Sequence, residues 1–186
     1  MEETAKKFKI EFVSEDLPDE KEIKDLTQWF SQFNKNNLKP GLSFRIEDGF
    51  VITTNISEQK ENLSNDSLVS VINYDVYKNV FYIEGKKEPS FESIIHYLIY
   101  NTRDEVNAIF SGQNDLILKN AEKFKLPITK NEQPEGTMEL ANEVLDILGD
   151  NNFVVIRNHG FISLGRNMKE TGDNAIKILK KTQSLK

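Results

Sequence analysis

The segment 89–114 constrains the fold most, because it joins a helical pattern directly to a strand pattern. Its apolar residues first recur at helical spacing, which predicts a helix with one buried face. These residues are Phe91, Ile94, Ile95, Leu98 and Ile99. Val106 to Phe110 then form a short apolar run that is typical of a buried strand and ends in the polar sequence 111–114. The pattern predicts helices packed on a sheet.

The helix of this segment has a predicted start at Pro89 and Ser90. The serine hydroxyl can cap a free backbone N–H of the first turn. Glu92 follows in that turn, where the positive end of the helix dipole favours a carboxylate.

The rest of the second half alternates between helices and strands. Asp115 to Phe124 predicts a helix, and a long polar loop, Thr129 to Gly136, leads to another helix that Gly149 closes. Strands are predicted at Phe153–Ile156 and Phe161–Leu164, flanking the turn 157–160. A final helix is predicted from Asn167, with Glu170 at capping-box spacing.

The first half predicts one helix and a set of antiparallel strands. An amphipathic helix follows Pro18, and Gly49 supplies the turn of a hairpin. The predicted strands are Lys7–Phe12, Leu42–Ile46, Phe50–Thr54, Leu68–Ile72 and Val80–Ile83. We therefore predict one mixed α/β domain over residues 1–186, with helices on a largely antiparallel sheet and an N-terminal extension at 1–17.

Composition excludes several classes of function. The chain has 186 residues, no cysteine and a net charge of -6. Thiolate chemistry and sulfur-bound zinc are therefore excluded, and a nucleic-acid partner is not expected of so acidic a chain. No apolar run reaches membrane-spanning length, so we expect no membrane partner and a cytoplasmic location.

Titratable residues that can carry chemistry are few. Glu92 and His96 are four residues apart on the predicted helix, so their side chains lie on neighbouring turns. Such a pair can serve in general acid–base catalysis or bind a metal, or it can be an ordinary solvent-exposed side-chain pair. His159, the other histidine, lies in a tight turn before Gly160. Taken alone it is more often a structural histidine than a ligand.

Small and hydroxyl residues in the turns form a second candidate set. They can present N–H and O–H donors to a phosphate, or they are simply turn and cap residues. The set consists of Gly41, Ser43, Thr53, Asn55 and Ser90. Ser111 has no histidine beside it in sequence, so nothing local indicates a nucleophilic serine.

The motifs taken in order resemble the class II aldolase/adducin family from about Trp29 to about Ile178. The landmarks are 42–45 with 48–53, then 89–92 with His96 and Tyr100, then 104–109, and finally 157–161 with 165–166. This resemblance implies a three-layer fold with a central, largely antiparallel sheet.

Active members of that family cleave or form carbon–carbon bonds in sugar phosphates, or carry out related reactions. The resemblance implies a zinc or similar ion that polarises the substrate carbonyl. In such members, three histidines hold the ion, a glutamate transfers protons, and glycine- and hydroxyl-rich turns bind phosphate. Family enzymes are commonly homotetramers with the active site between subunits.

The family's functional residues carry over only in part. Glu92 occupies the acid–base position and His159 the third-ligand position. The two other histidines correspond to Ser111 and Gln113, which are poor zinc donors beside imidazole.

The positions that correspond to the family's phosphate-binding residues and to its catalytic tyrosine also differ in this chain. Ser90 keeps the first serine of the family's Pro-Ser-Ser-Glu, but Phe91 replaces the second, and the phosphate turn aligns near Asn55 and Ile56. The family's aldolases also use a tyrosine from beyond the His-x-His, and this chain has none after Tyr100.

We therefore expect a family member that has lost the zinc-dependent mechanism and serves as a binding or interaction module. No cofactor is expected on this hypothesis, and the partner is a sugar-phosphate-like small molecule or a second copy of the chain. The alternative is an active aldolase or lyase that holds a divalent ion through recruited ligands. Its candidate ligands are Asn114, Asp115 and Glu132. A third hypothesis is a metal-free metabolite site formed by Glu92, His96 and Gln113.

Overall fold

The structure is a computed structural model that describes residues 8–54 and 63–184. Eight strands form one sheet, and five α-helices flank it within these ranges. The strands are β1 (Lys9–Ser14), β2 (Gly41–Ile46), β3 (Gly49–Thr53), β4 (Leu68–Asp75), β5 (Val80–Glu84), β6 (Ala108–Gly112), β7 (Phe153–Ile156) and β8 (Gly160–Gly165). The helices are α1 (Ile23–Lys35), α2 (Ser93–Thr102), α3 (Asp115–Asn120), α4 (Met138–Leu148) and α5 (Met168–Gln183).

The sheet has the order β1-β5-β4-β3-β2-β6-β8-β7. Neighbouring strands pair antiparallel except β1 and β5, which are parallel. The prediction of a mixed α/β fold with a largely antiparallel sheet and flanking helices is confirmed. None of the described helices is both long and apolar enough to cross a membrane.

Two apolar cores lie on opposite faces of the sheet, which makes the fold three-layered. One core joins the sheet to α2 and α4 through residues such as Ile95, Ile99 and Val144. The other joins it to α1, α3 and α5 through residues such as Phe33, Phe110 and Leu179. Strands in the middle of the sheet are buried on both faces, as the five-residue burial of β6 shows.

Arg45 on β2 fixes α2 over the sheet. Its guanidinium group donates to the carbonyls of Tyr100, Arg103 and Val106 at 2.8, 3.1 and 3.0 Å. These carbonyls belong to the last turn of α2 and the connection to β6, where a cation also complements the helix dipole. These hydrogen bonds hold the C-terminal end of α2 on β2. Because a helix is rigid, they also help to fix the position of its N-terminal end.

Three predicted boundaries in the segment 89–114 and the helix after it are corrected. The α-helix begins at Ser93 rather than at Ser90, because residues 91–92 form a turn in which the Ser90 hydroxyl accepts from the Glu92 N–H at 3.3 Å. Strand β6 begins two residues later than predicted and extends through Gly112. Helix α3 ends at Asn120 instead of Phe124.

The remaining elements lie close to their predicted places. Gly49 has φ +118°, as its hairpin turn requires, and Gly149 ends α4 with φ +45°. Asn167 caps α5 by accepting from the Glu170 N–H at 2.9 Å. The edge strand predicted at Lys7–Phe12 is found at Lys9–Ser14, and Lys7 lies outside the described residues.

We predict that Phe110→Ala lowers the free energy of unfolding by about 3 to 5 kcal/mol, because it leaves a cavity in a core that cannot collapse freely. Phe110 is fully buried and contacts the rings of Trp29 and Phe33. Urea unfolding measures the loss. The control Tyr77→Ala removes a fully exposed ring and should change stability by no more than about 0.5 kcal/mol; equal losses in the two variants would contradict the assigned core.

Candidate functional site

The candidate site lies at one end of the sheet, where four elements meet. Strand β2 begins at Gly41, which pairs with Ser111 near the end of β6. Gly112 then pairs with Phe161 on β8, just after the β7–β8 turn. The N-terminal end of α2 lies over this corner and brings Glu92 to Ser111. Strand register and the placement of α2 therefore create the site.

Glu92 and Ser111 form the centre of the site. The Ser111 hydroxyl hydrogen-bonds to Glu92 Oε2 and also lies 2.7 Å from the Gly41 carbonyl oxygen. A Cβ atom at Gly41 would overlap both Glu92 Oε2 and Ser111 Oγ, so a larger residue there would displace these two groups.

One serine hydrogen cannot serve both acceptors fully. A proton on Glu92 resolves this, because Glu92 then donates to Ser111 and Ser111 donates to the Gly41 carbonyl. Burial raises the pKa of Glu92 from its ordinary 4.5 to about 7, and the charge of Glu135 also acts to raise it. The Ser111 hydrogen bond and the proximity of His159 offset part of this rise. Glu92 is therefore a proton donor or acceptor close to neutral pH.

Gln113 follows β6 and lies against the β7–β8 turn. Its backbone N–H donates to the Leu38 carbonyl at 2.6 Å, which anchors the residue. A Cβ atom at Gly160 would lie 3.2 Å from Gln113 Cγ, so the side chain passes directly over this glycine. Gln113 thus reaches the same corner as the turn that carries His159.

The His159 side chain is held by the long loop 129–136, while its backbone N–H donates to the Ile156 carbonyl at the end of β7 at 3.0 Å. Its Nε2 lies 2.8 Å from the Gln133 carbonyl oxygen, and because a carbonyl only accepts, Nε2 carries the hydrogen. Its Nδ1 lies 3.6 Å from Glu135 Oε1. Asn158, with φ +59°, makes the turn and donates to Glu132 at 2.6 Å. Both ring nitrogens of His159 thus face this loop.

The predicted phosphate-binding residues have other partners. The Thr53 hydroxyl accepts from the Leu42 N–H at 3.1 Å, and Ser90 caps the Glu92 N–H. Gly41 is closely approached by the Glu92 carboxyl group, which repels a phosphate when it is ionised. Asn55, the other residue proposed for this turn, lies outside the described residues.

Ser43 and His96 were predicted to line a pocket, but both are fully buried. The Ser43 hydroxyl lies 2.8 Å from His96 Nδ1 and 2.8 Å from the Tyr100 hydroxyl. Burial lowers the pKa of His96 to about 3, so the imidazole is neutral. Their interior position follows from the packing of α2, which turns His96 toward the sheet. Metabolite recognition through His96, as the third hypothesis required, does not fit this burial.

Sequence reasoning missed Glu135 and Gln133, which both contact His159. They belong to a polar loop without periodicity, so no pattern in the sequence indicated which of its residues turn inward. Glu132 was considered as a recruited ligand and instead accepts from Asn158. Asn114 and Asp115, the other recruited candidates, begin α3, where Asn114 caps the N–H groups of Leu116 and Ile117.

The model of the Class II Aldolase and Adducin N-terminal domain family matches residues 113–182, a range that includes the His159 turn, β8 and nearly all of α5. Solved structures of class II aldolases share the fold over most of the chain. The chain is thus similar to the class II aldolase and adducin family in sequence over residues 113–182 and to solved aldolases in fold over most of its length.

Three solved structures illustrate the fold similarity. An L-fuculose 1-phosphate aldolase is 17% identical, with a TM-score of 0.74 over 91% of this chain and 86% of its own. The sugar-phosphate aldolase of Thermotoga maritima is 16% identical, with a TM-score of 0.71 over 88% and 92%. The L-fuculose-1-phosphate aldolase of Thermus thermophilus is 18% identical, with a TM-score of 0.68 over 86% and 89%. No curated protein matches the chain in sequence.

The donors at this corner do not fit a zinc ion at the position that the family resemblance implies. Ser111 is a neutral hydroxyl that bonds to Glu92, and Gln113 offers a carboxamide. The hydrogen on His159 Nε2 leaves only Nδ1 as a donor there. Across residues 8–54 and 63–184, no three histidine, aspartate or glutamate side chains lie close enough together to hold an ion.

We predict that Glu92 makes the protein less stable as pH rises. The folded pKa of about 7 exceeds the ordinary 4.5, so the stabilisation from the bound proton is complete below pH 4.5 and is lost as pH rises through 7. The loss reaches up to about 3 kcal/mol. Glu92→Gln should therefore resemble the wild type near pH 4.5 and exceed its free energy of unfolding at pH 8.

Urea unfolding at a series of pH values measures this difference. Glu47→Gln, at an exposed position in the β2–β3 turn, is the matched control and should show no comparable trend. A difference between wild type and Glu92→Gln that stays constant from pH 4.5 to 8 would exclude the raised pKa.

Proposed function

We propose that this chain is a metal-independent binding module that has lost the zinc-dependent aldolase mechanism. The observation that carries the proposal is the hydrogen bond between Ser111 and Glu92. It joins the position of a family metal ligand to the position of the family's acid–base residue. An ion between these two side chains would have to break this contact, and Ser111 would offer it only a neutral hydroxyl in place of an imidazole.

We call the corner formed by Glu92, Ser111, Gln113 and His159 the polyol cleft, because its charges favour a neutral, hydroxyl-rich ligand. Glu92 and Glu135 place two carboxyl groups near His159, and Gln113 adds a carboxamide next to the same turn. Carboxyl and carboxamide groups accept hydrogen bonds from hydroxyls, and a carboxamide also donates to them. A phosphate at the same point would meet the negative charge of Glu135. The ligand we propose is therefore a small sugar-like polyol bound through its hydroxyl groups.

The first test of this proposal measures zinc binding. Equilibrium dialysis of wild type and His159→Ala should show the same weak, non-stoichiometric binding, because His159 Nε2 is already hydrogen-bonded to Gln133. Tight binding of one zinc per chain that falls at least tenfold in His159→Ala would contradict the proposal.

The second test measures ligand binding without metal. Sugars and polyols are screened by thermal shift in the presence of a chelator, since a ligand that binds only the folded state raises its apparent stability. We expect a hit whose dissociation constant rises roughly tenfold in Gln113→Ala, the usual scale for one lost hydrogen bond. Gln183→Ala, at the exposed end of α5, is the matched control and should bind as wild type does. A panel without any metal-independent hit contradicts a metabolite site.

A catalytic alternative has one observation in its favour. The pKa of Glu92, about 7, is close to the value that suits a general acid or base at neutral pH. An active lyase would need an ion held by a rearranged donor set, for which the described residues provide no group of three. Metal-dependent cleavage of fuculose- or ribulose-type phosphates that is lost in Glu92→Gln would establish the alternative.

Assembly into homo-oligomers, which the family resemblance implies, stays a prediction. A loss of the metal site removes one reason to keep an active site between subunits. Light scattering gives the oligomeric state directly.

A further inference from the structure

A cavity of about 200 Å³ lies beside α3, and its lining includes neither Glu92 nor Ser111, Gln113 or His159. It is lined by residues from α3, from the chain that follows it and from the β7–β8 turn. These residues are Leu118, Lys119, Glu122, Ile128, Arg157 and Asn158. Its polar lining carries two cations and one anion, in contrast to the polyol cleft, where Glu92 and Glu135 supply carboxyl groups.

Arg157 lines this cavity, and two hydrogen bonds restrict its conformation. Its backbone N–H donates to Thr129 Oγ1 at 2.9 Å, and its Nε donates to the Thr129 carbonyl at 3.1 Å. Thr129 is fully buried, so these bonds join the arginine to the core. Less conformational freedom is then lost when the Nη groups bind a ligand.

The existing partner of these Nη groups is a weak one. Arg157 Nη2 lies 3.8 Å from Glu122 Oε1, which is beyond hydrogen-bond distance, and the Glu122 side chain is 78% exposed. An exposed ion pair of this length contributes little to stability. A ligand can therefore displace Glu122 at small cost.

The surrounding sequence is basic in an otherwise acidic chain. Residues 118–130 contain four lysines and one glutamate, whereas the whole chain has a net charge of -6. Lys119 is exposed and lines the cavity together with Arg157 of the β7–β8 turn. Local positive charge concentrates anions at such a surface.

We infer that this cavity is an oxyanion site that binds the phosphate group of a small phosphorylated metabolite between Arg157 and Lys119. A planar guanidinium group pairs with two phosphate oxygens, and a lysine ammonium neutralises the remaining charge. Phosphate is favoured over a carboxylate because two cations face the cavity and phosphate carries up to two negative charges near neutral pH. The site depends on neither the polyol cleft nor a metal.

Titration with inorganic phosphate at constant ionic strength tests the inference, with two-dimensional NMR as the readout. We expect saturable shifts of the Arg157 Nε–H signal and of backbone N–H signals around the cavity. The backbone signals remain observable in every variant. Lys119→Gln and Arg157→Lys should each weaken binding roughly tenfold. Glu122→Gln should tighten binding several-fold, because it removes the competing carboxylate.

Lys169→Gln is the matched control, since it removes an 81% exposed lysine on α5 and should leave the affinity unchanged. A parallel titration with acetate should give weaker binding. Unsaturable shifts, equal losses in Lys119→Gln and Lys169→Gln, no gain in Glu122→Gln, or tighter binding of acetate than of phosphate would each overturn the inference. Because every variant lies outside the polyol cleft, failure here leaves the proposed function untouched.

Discussion

The hydrogen bond between Ser111 and Glu92 is the interaction on which the character of this site depends. It depends on the space that Gly41 leaves at the start of β2, because a Cβ there would overlap both partners. It also requires Ser111 to face α2, which the pairing of β6 with β2 determines. The hydrogen bond between Ser111 and Glu92 therefore depends on the pairing register of β2 and β6.

The burial of Glu92 determines the electrostatics of this corner. Glu92 is removed from water beside α2 and approached by the negative Glu135, so its neutral form is favoured at a pH where most glutamates are charged. The loop 129–136 supplies Glu135 and also holds His159 Nε2 through Gln133. The Glu92 carboxyl group and the His159 imidazole, which could otherwise bind an ion, therefore already have hydrogen-bond partners within the protein.

Much of the fold was predictable because its signals are local. Gly49 at the hairpin, Gly149 after α4 and Asn167 before α5 each act within a few residues, and each has its predicted role. The start of α2 was misplaced because Ser90 caps a turn rather than the α-helix, and a sequence pattern does not separate these cases.

The family resemblance supplied the positions of the candidate site, and the functional role of these residues stays a prediction. Glu92, Ser111, Gln113 and His159 do reach one corner of the fold, although their hydrogen bonds could not be read from spacing. Ser43 and His96 were misjudged because polar residues on a helix flank and a strand give no sign of which layer they enter. Arg157 was recognised only as a family landmark, since its cavity depends on how α3 packs beside the β7–β8 turn.

The most direct test of the account observes the ring nitrogens of His159 while zinc is added. Long-range proton–nitrogen NMR on labelled protein distinguishes a protonated Nε2 from a metal-bound one. The account predicts a protonated Nε2 with a hydrogen bond to Gln133, unchanged at one equivalent of zinc. Loss of the Nε2 proton together with a metal-bound nitrogen shift at one equivalent would contradict it.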